Sequence, residues 1–105
     1  MLGTIRIRVF LFSVFLLVLG CQTTPPPIED YSLARAAIEA ARSVQAQRHS
    51  PGHWAKADEL YRRARILYRE RENEEARKLF IEARVAAEKA ENAARLLRQK
   101  NGEIL

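Results

Sequence analysis

The side chains of greatest chemical reactivity in this sequence are one cysteine, Cys21, and two histidines, His49 and His53. A single thiol allows no disulfide within the chain, and one thiol with two imidazoles falls short of the four ligands of a structural zinc ion. The histidines are four residues apart, but Pro51 and Gly52 lie between them and break the helix that would bring both rings to one metal ion. We therefore predict no metal site, no cofactor, and a surface or capping role for both histidines.

Sequence patterns that support catalysis are missing from the 105 residues. The chain has no glycine-rich dinucleotide or phosphate loop, no paired-histidine zinc motif and no nucleophile elbow. Its carboxylates alternate with basic residues instead of gathering in one segment. The formal net charge is +5, to which Arg6 and Arg8 contribute two, and this modest excess does not indicate nucleic-acid binding. We predict that the protein is not an enzyme.

The position of Cys21 in the chain indicates another chemistry for its thiol. Residues 1–8 carry Arg6 and Arg8 without an acidic residue, and the almost unbroken apolar run 9–19 follows. A basic segment before a short apolar run is typical of a secretory signal peptide. As a helix, this run would be about 16 Å long, roughly half the hydrocarbon thickness of a bilayer, so a signal peptide over residues 1–20 is favoured over a transmembrane anchor.

Residues 18–21, Val-Leu-Gly-Cys, resemble the lipobox of bacterial lipoproteins. The resemblance implies cleavage between Gly20 and Cys21 and attachment of membrane lipid to the Cys21 thiol. Two or three acyl chains hold a protein at a membrane almost permanently, since each buried methylene contributes about 0.8 kcal/mol. Gln22 follows where inner-membrane lipoproteins have Asp, which implies the inner leaflet of the outer membrane, facing the periplasm. An ordinary signal peptide or uncleaved anchor with an incidental cysteine is the alternative.

Residues 21–29 are predicted to form a tether between the lipid and the folded part of the chain. Three consecutive prolines, residues 25–27, favour a polyproline II segment that extends about 3.1 Å per residue and acts as a semi-rigid spacer. Such a spacer would lift the folded part clear of the lipid headgroups. A proline-rich ligand for a partner domain is the alternative, but no PxxP frame with flanking basic residues is present.

Residues 30–100 have the composition of a helical domain, with all 16 alanines of the chain at or after Ala34. We predict helices at about residues 30–48, 51–71 and 74–100. Ser50 is expected to cap the second helix, with Pro51 at its first position, and Asn73 to cap the third. Residues 101–105 are expected to form a C-terminal tail that begins at an Asn-Gly stop.

Alanine-rich apolar seams run along each predicted helix at spacings of three and four residues. Alanine lets helix axes approach closely, and the short connections make consecutive helices antiparallel. We therefore predict an all-α fold, either a small antiparallel three-helix bundle or a helical hairpin like that of tetratricopeptide repeats. Trp54 and Phe80 are expected in its core, and the seam of the third helix is expected to run from Ala76 to Leu97.

Two family resemblances follow from these seams. Residues 28–100 resemble an uncharacterised family, a domain of unknown function, of short alanine-rich helical lipoproteins of the bacterial envelope, some of which carry an OmpA-like domain. Residues 60–83 also resemble one tetratricopeptide repeat. The matching positions for the first family are Ala34, Ile38 and Ala41, then Ala57, Leu60 and Ala64, then Glu75, Ala76 and Arg77, and finally Ala83, Ala87 and Ala90.

Three apolar residues of the third helix, Ile81, Val85 and Leu96, are expected roughly opposite its seam. We predict that they contact an envelope protein partner or a second copy of the chain. Isolated exposed apolar residues, or packing of the first helix on this side, are the alternatives. The basic stretch 62–65 is interpreted as a solvated helix face, with a patch for anionic lipid or another acidic surface as its alternative.

These observations predict a lipid-anchored helical interaction or scaffold protein of the bacterial cell envelope. The alternatives are a self-associating structural lipoprotein and a peptide-binding adaptor of the tetratricopeptide type.

Overall fold

The computed structural model describes residues 1–19 and 24–102, and within these ranges every regular element is an α-helix. The all-α prediction is thereby confirmed for this part of the chain. The predicted cleavage and lipidation residues, Gly20 and Cys21, lie outside the described residues. The helices are α1 (Leu2–Leu19), α2 (Ile28–Ser43), α3 (Ala46–His49), α4 (Pro51–Arg69) and α5 (Asn73–Lys100).

Helices α4 and α5 form an antiparallel hairpin, and α2 packs mainly against α5. Helix α2 runs parallel to α5, because Asp30 near its start pairs with Arg77 near the start of α5 at 3.5 Å. Alanines occupy the contact faces, where Ala57 and Ala64 of α4 are fully buried. Small side chains at these positions let the helix axes come close together.

Aromatic rings fill one end of the core around Phe80, which is fully buried. The centroid of the Tyr31 ring lies 4.6 Å from that of Phe80 and 5.1 Å from that of Tyr68. Toward the other end, Trp54 packs with Ile38 and with alanines of α5, and it is 8% exposed. The predicted burial of Trp54 and Phe80 is confirmed.

The first predicted helix is interrupted, which the sequence analysis did not foresee. Helix α2 ends at Ser43, Gln45 takes a left-handed conformation with φ 59°, and the one-turn helix α3 follows. The change of direction brings both Val44 and Ala46 into the core. In a continuous helix, side chains two residues apart in sequence point in directions about 200° apart around the axis, so only one of the two would be buried.

The predicted caps also differ from the observed helix starts. Pro51 begins α4 as expected, but the Ser50 side chain makes no capping hydrogen bond and is itself buried. Glu72 occupies the cap position of α5, and Asn73 is its first residue. The Asn73 amide is engaged elsewhere, since its Nδ2 donates a hydrogen bond to the backbone oxygen of Thr24 at 2.8 Å.

The described chain is elongated, with extents of 87 × 17 × 15 Å. Helix α1 packs against no other described helix, and its apolar side chains up to Leu16 are exposed. These dimensions do not confirm a compact three-helix bundle for the whole molecule. Among the described residues, no helix has both the length and the apolarity needed to cross a membrane.

Helix α5 extends beyond its partners at its C-terminal end. Its 28 residues span about 42 Å, whereas the 19 residues of α4 span about 28 Å. The buried seam therefore stops at Ala94, and Leu97, which was expected within it, is 38% exposed.

Candidate functional site

The first candidate site is a groove of about 370 Å³ between α4 and α5, which we call the Ile–Val groove. Ile81, Val85 and Ala86 of α5 supply its apolar surface. Charged and polar side chains surround this surface, and they are His53, Lys56, Glu82 and Lys89. An apolar centre with a polar rim is the common composition of a surface that contacts another protein.

The structure brings together two of the three residues predicted to contact a partner. Ile81 is half-buried and Val85 is 40% exposed, and both line the Ile–Val groove. Leu96 is 61% exposed but lies about 16 Å further along α5, outside this groove. The lining comes from α4 and α5, so packing of α2 does not account for these apolar residues.

A second groove, of about 320 Å³, separates α2 from α4, and we call it the Tyr–Arg groove. It exists because both helices pack on α5 while they contact each other only sparsely. Tyr31, Ile38 and Tyr61 form its inner surface, and Ile38 is only 3% exposed. Six charged side chains line the rest of it, and they are Arg35, Glu39, Arg42, Asp58, Arg62 and Arg65.

Two of the four arginines of the Tyr–Arg groove have acidic partners. Arg42 pairs with Glu39 at 2.8 Å and Arg62 with Asp58 at 3.2 Å. Arg35 and Arg65 form no ion pair within the described part of the chain, and the Arg65 guanidinium lies 5.7 Å from the centroid of the Tyr61 ring. The groove therefore carries an excess of positive charge.

The pKa of the Tyr61 hydroxyl is raised above its ordinary value, chiefly because the side chain is partly buried. Tyr31 adds to this rise in pKa through charge repulsion and a hydrogen bond between the two side chains. Arg65 and Arg35 act in the opposite direction and lower the pKa.

The Tyr–Arg groove was not found by sequence reasoning, although a signal for it exists. The pattern Tyr-x-x-Ala-Arg occurs at residues 31–35 and again at residues 61–65. In each copy the alanine, Ala34 or Ala64, is fully buried in the same core cluster. The two copies thus place a tyrosine and an arginine on each side of one groove.

Residues 24–27 of the predicted tether lie against the connection between α4 and α5. The Thr24 carbonyl accepts the hydrogen bond from Asn73, Pro27 is buried, and Pro25 and Pro26 line a shared cleft with residues 71–74. Helix α2 then begins at Ile28. The described part of the predicted tether therefore contacts the helical body at this connection.

Among the residues that the structure describes, neither histidine belongs to a group of metal ligands. Within residues 1–19 and 24–102, no three His, Cys, Asp or Glu side chains are grouped closely enough to hold a metal ion. His53 lines the Ile–Val groove, and His49 is half-buried at the end of α3.

Comparison with known protein families gives a match over most of the predicted helical domain. Residues 29–102 match the family described as a domain of unknown function (DUF4398). No curated protein and no solved structure shows significant similarity to the chain.

Proposed function

Because this chain belongs to the DUF4398 family, a domain of unknown function, we propose its role from its own residues: it is a lipid-anchored interaction protein of the bacterial cell envelope, without catalytic activity. In this proposal α2 to α5 fold as one small bundle that presents the Ile–Val groove to a partner protein. Cys21 holds that bundle at the inner leaflet of the outer membrane.

The support for the anchor is the sequence around Cys21. A basic start, a short apolar run and Val-Leu-Gly-Cys at residues 18–21 occur in the order that lipid attachment requires.

The observation that carries the interaction role is the exposure of Ile81 and Val85 within a groove. Apolar side chains that lie one turn apart on the solvent-facing side of α5 add little to the stability of the helical bundle, so its folding alone does not explain Ile81 and Val85. Lys56 and Lys89 beside Glu82 give the rim both signs of charge. This pattern fits an amphipathic helix of another envelope protein, with one or two apolar side chains seated between the charged residues.

Substitution of Ile81 and Val85 by Gln tests this role. In cells that make the full chain, we expect the double variant to lose its crosslink to the partner, whose identity mass spectrometry would give. Circular dichroism and thermal unfolding of the purified variant should match the wild type, because neither side chain is fully buried. The matched control is Leu33→Gln with Ile66→Gln, since both residues are 47% exposed and lie outside the groove.

Two results would contradict the proposal. An unchanged crosslink in the double variant would show that the Ile–Val groove does not contact the partner. Loss of folding would show that Ile81 and Val85 belong to the core of the helical bundle.

Self-association is the second candidate function, and the C-terminal end of α5 favours it. Leu96 and Leu97 are neighbours in sequence, are 61% and 38% exposed, and lie beyond the partner helices. In a dimer, Leu96 and Leu97 of each copy would pack against those of the other copy and be shielded from water. The protein would then be a self-associating structural lipoprotein. A dimer in sedimentation that Leu96→Gln abolishes, while Ile81→Gln leaves it intact, would favour this function.

A further inference from the structure

We propose that the Tyr–Arg groove binds an acidic segment of a partner protein, with Arg35 and Arg65 pairing with two of its carboxylates. In this arrangement an apolar side chain of the segment covers Tyr31 and Tyr61. The proposal concerns a different surface from the Ile–Val groove and stands independently of it.

The repeated pattern Tyr-x-x-Ala-Arg builds this site from two helices. Burial of the alanine in each copy fixes the rotation of α2 and of α4, and the tyrosine and arginine of each copy then border the groove. The rings of Tyr31 and Tyr61 meet edge to face, with centroids 6.0 Å apart and an interplanar angle of 89°. This contact holds the inner surface of the groove in one geometry.

The charges of the groove call for an anionic occupant. Glu39 and Asp58 are already engaged with Arg42 and Arg62, so the positive charge of Arg35 and Arg65 is not balanced by an ion pair within the described residues. Arg35 and Arg65 both line the groove, and the Arg65 guanidinium lies 5.7 Å from the centroid of the Tyr61 ring. Guanidinium groups bind carboxylates through two parallel hydrogen bonds, so a pair of arginines binds acidic side chains selectively.

The shape of the groove favours a protein segment over a membrane surface. Its inner residues are recessed between two helices, and Ile38 at the bottom is almost fully buried. A flat layer of headgroups reaches only the outer guanidinium groups, whereas a single chain segment enters the groove and also covers the tyrosines. A segment that alternates acidic and apolar residues meets both requirements.

Peptide binding to the full chain in mild detergent tests the proposal. The probe is a fluorescent peptide that alternates Glu and Leu, and the comparison peptide has Gln in place of Glu. We expect the wild type to prefer the Glu peptide, and Arg35→Gln with Arg65→Gln to weaken its binding at least tenfold. The matched control, Arg63→Gln with Arg69→Gln, removes the same charge from exposed positions outside the groove and should change binding less than threefold.

Several results would overturn the proposal. Equal losses in R35Q/R65Q and R63Q/R69Q would reveal general electrostatic attraction, and unchanged binding in R35Q/R65Q would place the peptide elsewhere. If R35Q/R65Q lost only its binding to phosphatidylglycerol vesicles, the surface would be one for membranes.

Two further variants serve as controls. Arg35→Lys with Arg65→Lys keeps the charge and guards against a folding defect, and we expect its affinity for the Glu peptide to be intermediate. The Ile81 and Val85 double variant should bind the Glu peptide normally, which separates this test from that of the proposed function.

Discussion

At the residue scale, Tyr61 both packs against an aromatic side chain of the core and lies next to charged side chains of the groove. Its ring contacts Tyr31 and lies beneath the Arg65 guanidinium. Partial burial and Tyr31 raise its pKa, while the two arginines oppose that rise. Burial thus favours the neutral form of this hydroxyl.

The raised pKa of Tyr61 makes the stability of the fold depend on pH at the alkaline end. A group whose pKa is higher in the folded than in the unfolded chain contributes stability that is lost as the pH rises through the folded pKa. We expect the free energy of unfolding to fall above about pH 10, the ordinary pKa of tyrosine, and to fall less steeply in Tyr61→Phe. Urea unfolding of both proteins at several alkaline pH values measures this difference. Identical pH profiles would contradict it.

At the element scale, the end of α4 depends on a residue poorly suited to its backbone conformation. Arg71 has φ 62°, in the left-handed region that glycine adopts most easily. The backbone N–H groups of Glu72 and Arg71 donate to the carbonyl oxygens of Leu67 and Tyr68 at 2.9 and 3.2 Å. These two hydrogen bonds form the Schellman motif that turns the chain from α4 into α5.

Replacement of Arg71 by Gly is therefore expected to stabilise the fold by about 0.5–1 kcal/mol, because the relief of left-handed strain exceeds the added flexibility of the unfolded chain. The matched change Arg63→Gly lies in the middle of α4, where glycine should cost about 1 kcal/mol. Urea denaturation of the full chain measures both free energies of unfolding. A destabilised Arg71→Gly variant would show that the arginine side chain itself supports the turn.

Among the helices, the alanine seams could be predicted from the sequence, whereas the break at Gln45 could not. Alanine spacing predicted the seams because the burial of small residues follows helical periodicity directly. The break at Gln45 was missed because glutamine is a good helix former, and the tertiary burial of Val44 and Ala46 overrides its preference.

The Tyr–Arg groove was missed for a related reason. It arises from the spacing between α2 and α4, and that spacing depends on how each helix packs on α5. The basic stretch 62–65 includes two of its arginines, and the repeat of Tyr-x-x-Ala-Arg at residues 31–35 and 61–65 is the signal that would have joined them to α2.

At the scale of the whole molecule, the described chain has two parts of different character. Helix α1 is apolar and packs against none of the other helices, whereas α2 to α5 pack together through the alanine seams. The proposed lipidation residue, Cys21, lies between these two parts in the sequence. Cleavage before it would remove α1 and leave the packed helices intact.

We expect Cys21→Ser to abolish lipid attachment and to release the protein from membranes. The reason is that the thiol is the acceptor of diacylglycerol in the sequence pattern that residues 18–21 resemble. Mass spectrometry of the N-terminus and fractionation of cells measure the two effects, with Ser13→Ala in the apolar run as the control. An unmodified thiol on a membrane-bound chain of full length would contradict the prediction.

The attachment of Thr24 to Asn73 has a mechanical consequence. A pull that reaches the start of α2 through Thr24 and acts along the axis of that helix would also act along α5, because the two helices run parallel. This direction loads the contacts between α2 and α5 in shear, so that many must yield at once instead of peeling apart in turn. A force applied through the residues before Thr24 would therefore act on the contact between α2 and α5.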